Sequence, residues 1–95
     1  MKAFELLEKY GWCQENLATD ETGVGCSIND KTAANFCLIG AIYRKNRCSR
    51  TTLTEDLAKA CRKLGFGSSA SLSVWNDHSS RTKEEVVALL KELDI

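Results

Sequence analysis

The chain predicts an all-α fold: a small four-helix domain wrapped around one central buried helix, with two irregular segments that each carry a tryptophan. Three observations point there. An apolar octet, Phe36 to Tyr43, lies in the middle of the chain. Three other segments place leucines and valines at helical spacing between capping residues. Proline is absent, and no low-complexity stretch divides the sequence, so residues 1–95 read as one helical domain. At 95 residues, a chain buries roughly two thirds of its unfolded surface, enough for one core.

Lys2 to Tyr10 sets Ala3, Phe4, Leu6, Leu7 and Tyr10 at helical spacing and stops at Gly11, which would terminate the helix in a left-handed conformation. From Trp12 to Asn29 the periodicity dissolves into Asp20-Glu21-Thr22-Gly23-Val24-Gly25, which is turn chemistry. A loop this long is functional or packed by its own side chains, and Trp12 and Cys13 could supply that packing. A short strand pair around Gly23 is an open alternative, though no alternation supports it. The central helix is expected from about Lys31 to Asn46, capped by Asn29 or Asp30 and ending in Arg44, Lys45 and Arg47, where cations suit the helix dipole. An element apolar on every side is a buried one, and Gly40 would let a neighbour approach closely.

The third helix reads from a Thr52/Glu55 capping box through Leu53, Leu57, Cys61 and Leu64 to Gly65. Ala70 to Trp75 fits either a short extended piece or a helical turn. A second box, Thr82 with Glu85, opens the last helix with its stripe Val86, Leu89, Leu90 and Leu93.

Thirteen basic and thirteen acidic side chains cancel, so no global field draws the protein to nucleic acid or an anionic membrane. Five cysteines, an odd number, and an N-terminus broken by Glu5 and Glu8 argue against a secreted disulfide framework. Reduced thiols in the cytoplasm are the expectation. No apolar run reaches the roughly 18 residues of a membrane span.

The chemistry-bearing residues are few. The cysteines are never close enough in sequence to form a zinc knuckle, and His78 is the lone histidine; no metal or cofactor is expected. Gly23 and Gly25 lack the Gly-Lys-Ser/Thr sequence of a phosphate loop. Cys13 with His78 and Asp77 offers the residue types of a cysteine nucleophile and its base, while local turn bonding accounts for Asp77 and Ser80 without catalysis. Arg44, Lys45, Arg47 and Arg50 form the strongest local charge. With Tyr43 alongside, they are the candidate nucleic-acid patch, against a plain helix-terminus reading. Trp12 and Trp75 are either plugs on the core rim or anchors for a partner.

Taken together, Gly11-Trp12-Cys13-Gln14, Phe36-Cys37-Leu38-Ile39-Gly40-Ala41-Ile42 and Trp75-Asn76-Asp77 ahead of a final helix resemble a family of small bacterial and phage domains of unknown function. The resemblance implies a helical domain, no assigned activity, and two motif groups: Trp12, Cys13 and Gln14, then Trp75, Asn76 and Asp77. The expected function is a non-enzymatic binding module, with another protein as partner, in a phage or mobile-element setting. Nucleic-acid binding and cysteine catalysis stand as alternatives.

Overall fold

In the computed structural model, which describes residues 1–95, five helices pack together with a small antiparallel sheet that lies against the first two of them. The helices are α1 (Ala3–Lys9), α2 (Leu38–Lys45), α3 (Arg50–Leu64), α4 (Ala70–Asn76) and α5 (Lys83–Leu93). Strands β1 (Ala18–Thr19) and β2 (Asn35–Phe36) pair with Ala18 opposite Phe36 and Thr19 opposite Asn35. The domain is therefore mostly helical and not all-α, and it has five helices where four were expected. No helix is long and apolar enough to cross a membrane.

The central element is shorter than its sequence pattern. Phe36 through Ile42 are all buried, as the apolar run demands. The helix, however, begins only at Leu38. Asp30 does not cap it. Its carboxylate accepts the Thr32 backbone N–H at 2.8 Å and the Thr32 hydroxyl at 2.7 Å, closing a local turn that competes with helix. Asn35 and Phe36 then extend and pair with β1. Cys37 is the actual N-cap, its Sγ accepting the Gly40 N–H at 3.2 Å.

Gly40 has the predicted role. A Cβ built there would strike the backbone carbonyl of Leu17, so the segment leading into β1 lies directly on the first turn of α2. Gly11 does not. Its φ is not positive, and a Cβ there would meet the Asn35 side-chain oxygen, so glycine makes room for an amide. α1 simply ends at Tyr10.

Of the two capping boxes read from the sequence, one forms and one is bypassed. α5 has its Thr82/Glu85 box. α3 starts earlier than the Thr52/Glu55 pattern suggests, because the Ser49 hydroxyl accepts the Thr52 N–H and adds a turn. Gly65 closes α3 at φ 76°, a left-handed position suited to glycine.

One core of fifteen buried residues joins the helices, including Leu7, Phe36, Leu38, Ile42, Leu72, Val86, Leu90 and Ile95. On α3 the leucine stripe is only half-buried, and the fully enclosed positions are Ala60 and Asp56. Asp56 Oδ2 accepts from Lys45 Nζ at 2.7 Å and from Asn46 Nδ2 at 2.8 Å, tying the end of α2 to α3. Removing one member of a buried ion pair leaves an uncompensated charge and costs about 3–5 kcal/mol. Asp56→Ala is accordingly expected to lose that much in denaturant unfolding; a loss below about 1 kcal/mol would mean that the pair behaves as a surface bridge.

Candidate functional site

The two motif groups, 62 to 64 residues apart in sequence, meet in space. Their meeting point is the side-chain amide of Asn76, which is fully buried. Asn76 Oδ1 accepts the Trp12 Nε1–H at 2.8 Å and the Leu38 backbone N–H at 3.0 Å. Its Nδ2 donates to the Cys13 carbonyl at 3.2 Å and to Asp77 Oδ1 at 2.9 Å. Two donors and two acceptor bonds are all that a carboxamide offers, so the group is saturated.

The backbone explains why an amide stands there. Trp12 bridges Phe36 in parallel, with Phe36 N–H on the Gly11 carbonyl and Cys13 N–H on the Phe36 carbonyl. The next rung of a parallel ladder would join Leu38 N–H to the Cys13 carbonyl. Instead α2 begins at Leu38, the chains part, and those two groups each bond to Asn76. A side-chain amide thus replaces one peptide rung and also caps α2 from another part of the chain.

The remaining motif residues lock the same junction. Gln14 Nε2 donates to the Asn76 carbonyl at 3.0 Å and the His78 carbonyl at 2.9 Å. Asp77 Oδ1 also accepts the Glu15 N–H at 2.9 Å, holding Glu15 at φ 70°, a left-handed conformation uncommon for a side chain with a Cβ. Trp75 packs on the rim of the core as one of its two expected roles, and the deeper position belongs to its neighbour. Asn76 is the buried residue, and Trp75 is half-buried in α4, not in a loop. Arg81 stacks on the Trp75 ring at 3.9 Å and donates from Nε to the Trp75 carbonyl at 2.9 Å. Its Nη1 lies 2.8 Å from Glu85, and hydrogen bonding from Arg81 holds the Glu85 carboxyl below its usual range.

Beside this junction lies a cleft of about 250 Å³ lined by Glu15, Asn16, Leu17, Cys37, Ser73 and Asp77. Leu17 is 44% exposed, and Val74, adjacent to Ser73 on α4, is 74% exposed. Sequence reasoning missed the cleft, and it missed Asn76 as the centre of the site. One signal was available: Leu72 and Asn76 stand four apart, which puts the asparagine on the buried face of a helix.

No hydrogen bond joins Cys13 to His78. The Cys13 thiol donates to the Asn16 carbonyl at 3.5 Å. His78 Nδ1 bonds the Ser80 N–H at 3.1 Å and the Ser80 hydroxyl at 2.8 Å. Burial, with the nearby Cys37 adding to it, pushes the Cys13 thiol up to about 11. Such a group holds roughly a hundredth of the thiolate of an ordinary cysteine at neutral pH. Iodoacetamide at pH 7 is therefore expected to label the exposed Cys48 first, with Cys13 about a hundredfold slower than a free cysteine. Labelling of Cys13 at the free-cysteine rate would contradict this environment.

The basic group divides. Arg44 donates from Nη1 to the Ile28 carbonyl at 2.7 Å, and Lys45 is paired with Asp56. Arg47 and Arg50 are exposed. The four do not form one free cationic face.

Fold and site together define a small helical domain with a parallel rung completed by a distant asparagine. The chain belongs to the family of unknown function DUF6197, which matches residues 1–93. No curated protein and no solved structure matches it.

Proposed function

We propose that the domain is a non-enzymatic binding module for another protein, which docks on the face formed by the Glu15–Leu17 segment and α4. One observation carries this reading. The motif groups are occupied by internal bonds, while next to them a cleft is lined by the exposed apolar side chain of Leu17, and Val74 is exposed on the same α4 that lends Ser73 to the cleft. Apolar side chains at the rim of a preformed cleft are what a docking surface requires. The neutral Cys13 thiol and the Ser80-bound His78 supply no activated nucleophile, which favours binding over cysteine catalysis.

Neutralisation of Lys45 by Asp56, which breaks the basic run as a continuous track, ranks nucleic-acid binding second. That alternative requires affinity that falls steeply with salt, and a low-salt gel shift without retardation would end it. Five unpaired thiols fit a reducing, cytoplasmic setting. The phage or mobile-element association belongs to this reading through the motif resemblance alone.

The test compares wild type with a Leu17→Glu/Val74→Glu double variant as baits in lysate of the native host, with quantitative mass spectrometry. Both positions are exposed, so the double variant should fold normally by circular dichroism. A partner enriched by wild type and lost from the variant supports the reading; identical captured sets refute it.

A further inference from the structure

We propose that a second surface, at the C-terminal end of α2, takes the carboxylate of an acidic side chain from a partner protein. It extends the binding reading beyond the Leu17–Val74 face and shares no residue with it. A hollow of about 220 Å³ is lined there by Met1, Leu6, Arg44, Lys45 and Arg47. Three of these are cations and none is an acid.

Arg44 is the residue that points to an external anion. It is half-buried, yet none of the molecule's ion pairs includes it. Removing a charge from water is costly unless a counter-charge replaces the solvent. The Ile28 carbonyl satisfies one of five guanidinium N–H donors and holds the planar fork in place, as recognition of a carboxylate needs. The end of the α2 dipole accounts for roughly half a unit of compensating charge, less than one arginine carries.

The other two cations play different parts. Lys45 Nζ lies 2.7 Å from Asp56 Oδ2 and is neutralised, so it forms a wall and adds little field. Arg47 is exposed and also without an ion pair. One fixed and one free guanidinium thus border a space the size of a single side chain, with Leu6 and Met1 as apolar walls.

That geometry favours an acidic residue set among apolar ones over nucleic acid. A polynucleotide needs cations spaced along a track of phosphates, and Arg50, the remaining member of the basic run, does not line the hollow.

The experiment is a nitrogen-15 NMR titration of the full chain at low ionic strength. Three probes are used: a short capped peptide with one glutamate between leucines, the same peptide with glutamine, and a single-stranded oligonucleotide. The glutamate peptide is expected to shift the amides of Leu6 and Arg44 to Arg47 saturably, and the glutamine peptide to leave them in place. Arg47→Gln, and Arg44→Met which keeps an aliphatic stem, should each weaken binding about tenfold or more. Arg50→Gln and the Leu17→Glu/Val74→Glu variant should not alter it. Arg47 makes no internal bond that its loss would disturb, so Arg47→Gln remains informative if Arg44→Met unfolds. The proposal is overturned by any of three results: no saturable shift in the hollow, an equal response to the glutamine peptide, or tighter binding of the oligonucleotide at the same amides.

Discussion

Gly40→Ala should destabilise the domain by about 3 kcal/mol, lowering the melting temperature by on the order of 15 °C for a chain of this length. Helix propensity alone argues the other way, since alanine is favoured over glycine inside a helix by about 1 kcal/mol. The backbone contact decides the outcome. The new methyl would overlap the Leu17 carbonyl, and that carbonyl accepts the Cys37 N–H at 3.1 Å. The segment has no room to retreat, because neighbouring Ala18 is completely buried and paired with Phe36. Relief of the clash must break the Cys37 bond or unpair β1 from β2. Gly67→Ala is the matched control. Nothing lies within 4 Å of its Cβ position and its φ is not positive, so that change should be neutral or stabilise by up to about 1 kcal/mol. Equal melting temperatures for the two variants would show that Leu17 does not rest on α2. The same substitution should also weaken partner capture, since Leu17 lines the cleft.

Much of this arrangement was legible in the residues, and the illegible part has a common cause. The outer helices could be read because their burial is set by their own sequence: Val86, Leu89 and Leu90 recur at helical spacing behind the Thr82 box and are buried in α5. The burial of the central run was equally plain. Its start was not, because a strand end and a helix start share one apolar stretch. What makes Phe36 extended is Ala18, and what makes Leu38 helical is a cap supplied by Asn76, 38 positions away. The strands escaped notice for the same reason: two-residue strands carry no alternation to detect. The candidate site was half visible. Its two motif groups were recognisable, but their meeting depends on the ladder splaying at Cys13 and Leu38. The basic run misled because charge at a helix end looks alike whether it is free or, as with Lys45, answered by an acid on the next helix.

Asn76 is expected to be the most sensitive position in the chain, and its variants separate two roles that deletion alone would confuse. Asn76→Ala leaves the Leu38 N–H, the Trp12 Nε1–H and the Cys13 carbonyl without their partner. Each unsatisfied buried group costs about 1–3 kcal/mol, so the loss should be about 3 kcal/mol or more, approaching the range of broken buried networks. Asn76→Asp preserves the size and the oxygen facing Trp12 and Leu38. It replaces the donating nitrogen with a second oxygen aimed at the Cys13 carbonyl and Asp77 Oδ1. At neutral pH the new carboxylate is buried beside another acid, and both effects raise its folded-state pKa above the unfolded value of about 3.9. A raised folded-state pKa means stability that is present below the unfolded value and lost as pH rises through the folded one. Relative to wild type, Asn76→Asp should therefore recover as the pH is lowered, when a protonated carboxyl can donate again towards Cys13. Asn76→Ala has no proton to regain and should show no such recovery. Denaturant unfolding of all three chains from pH 7 down to pH 4 reads the difference directly. Parallel pH profiles for the aspartate and alanine variants would mean that the amide fills space without completing the rung. The cleft beside it would then owe its shape to packing and not to the bonds that hold Glu15 and Asp77 in place.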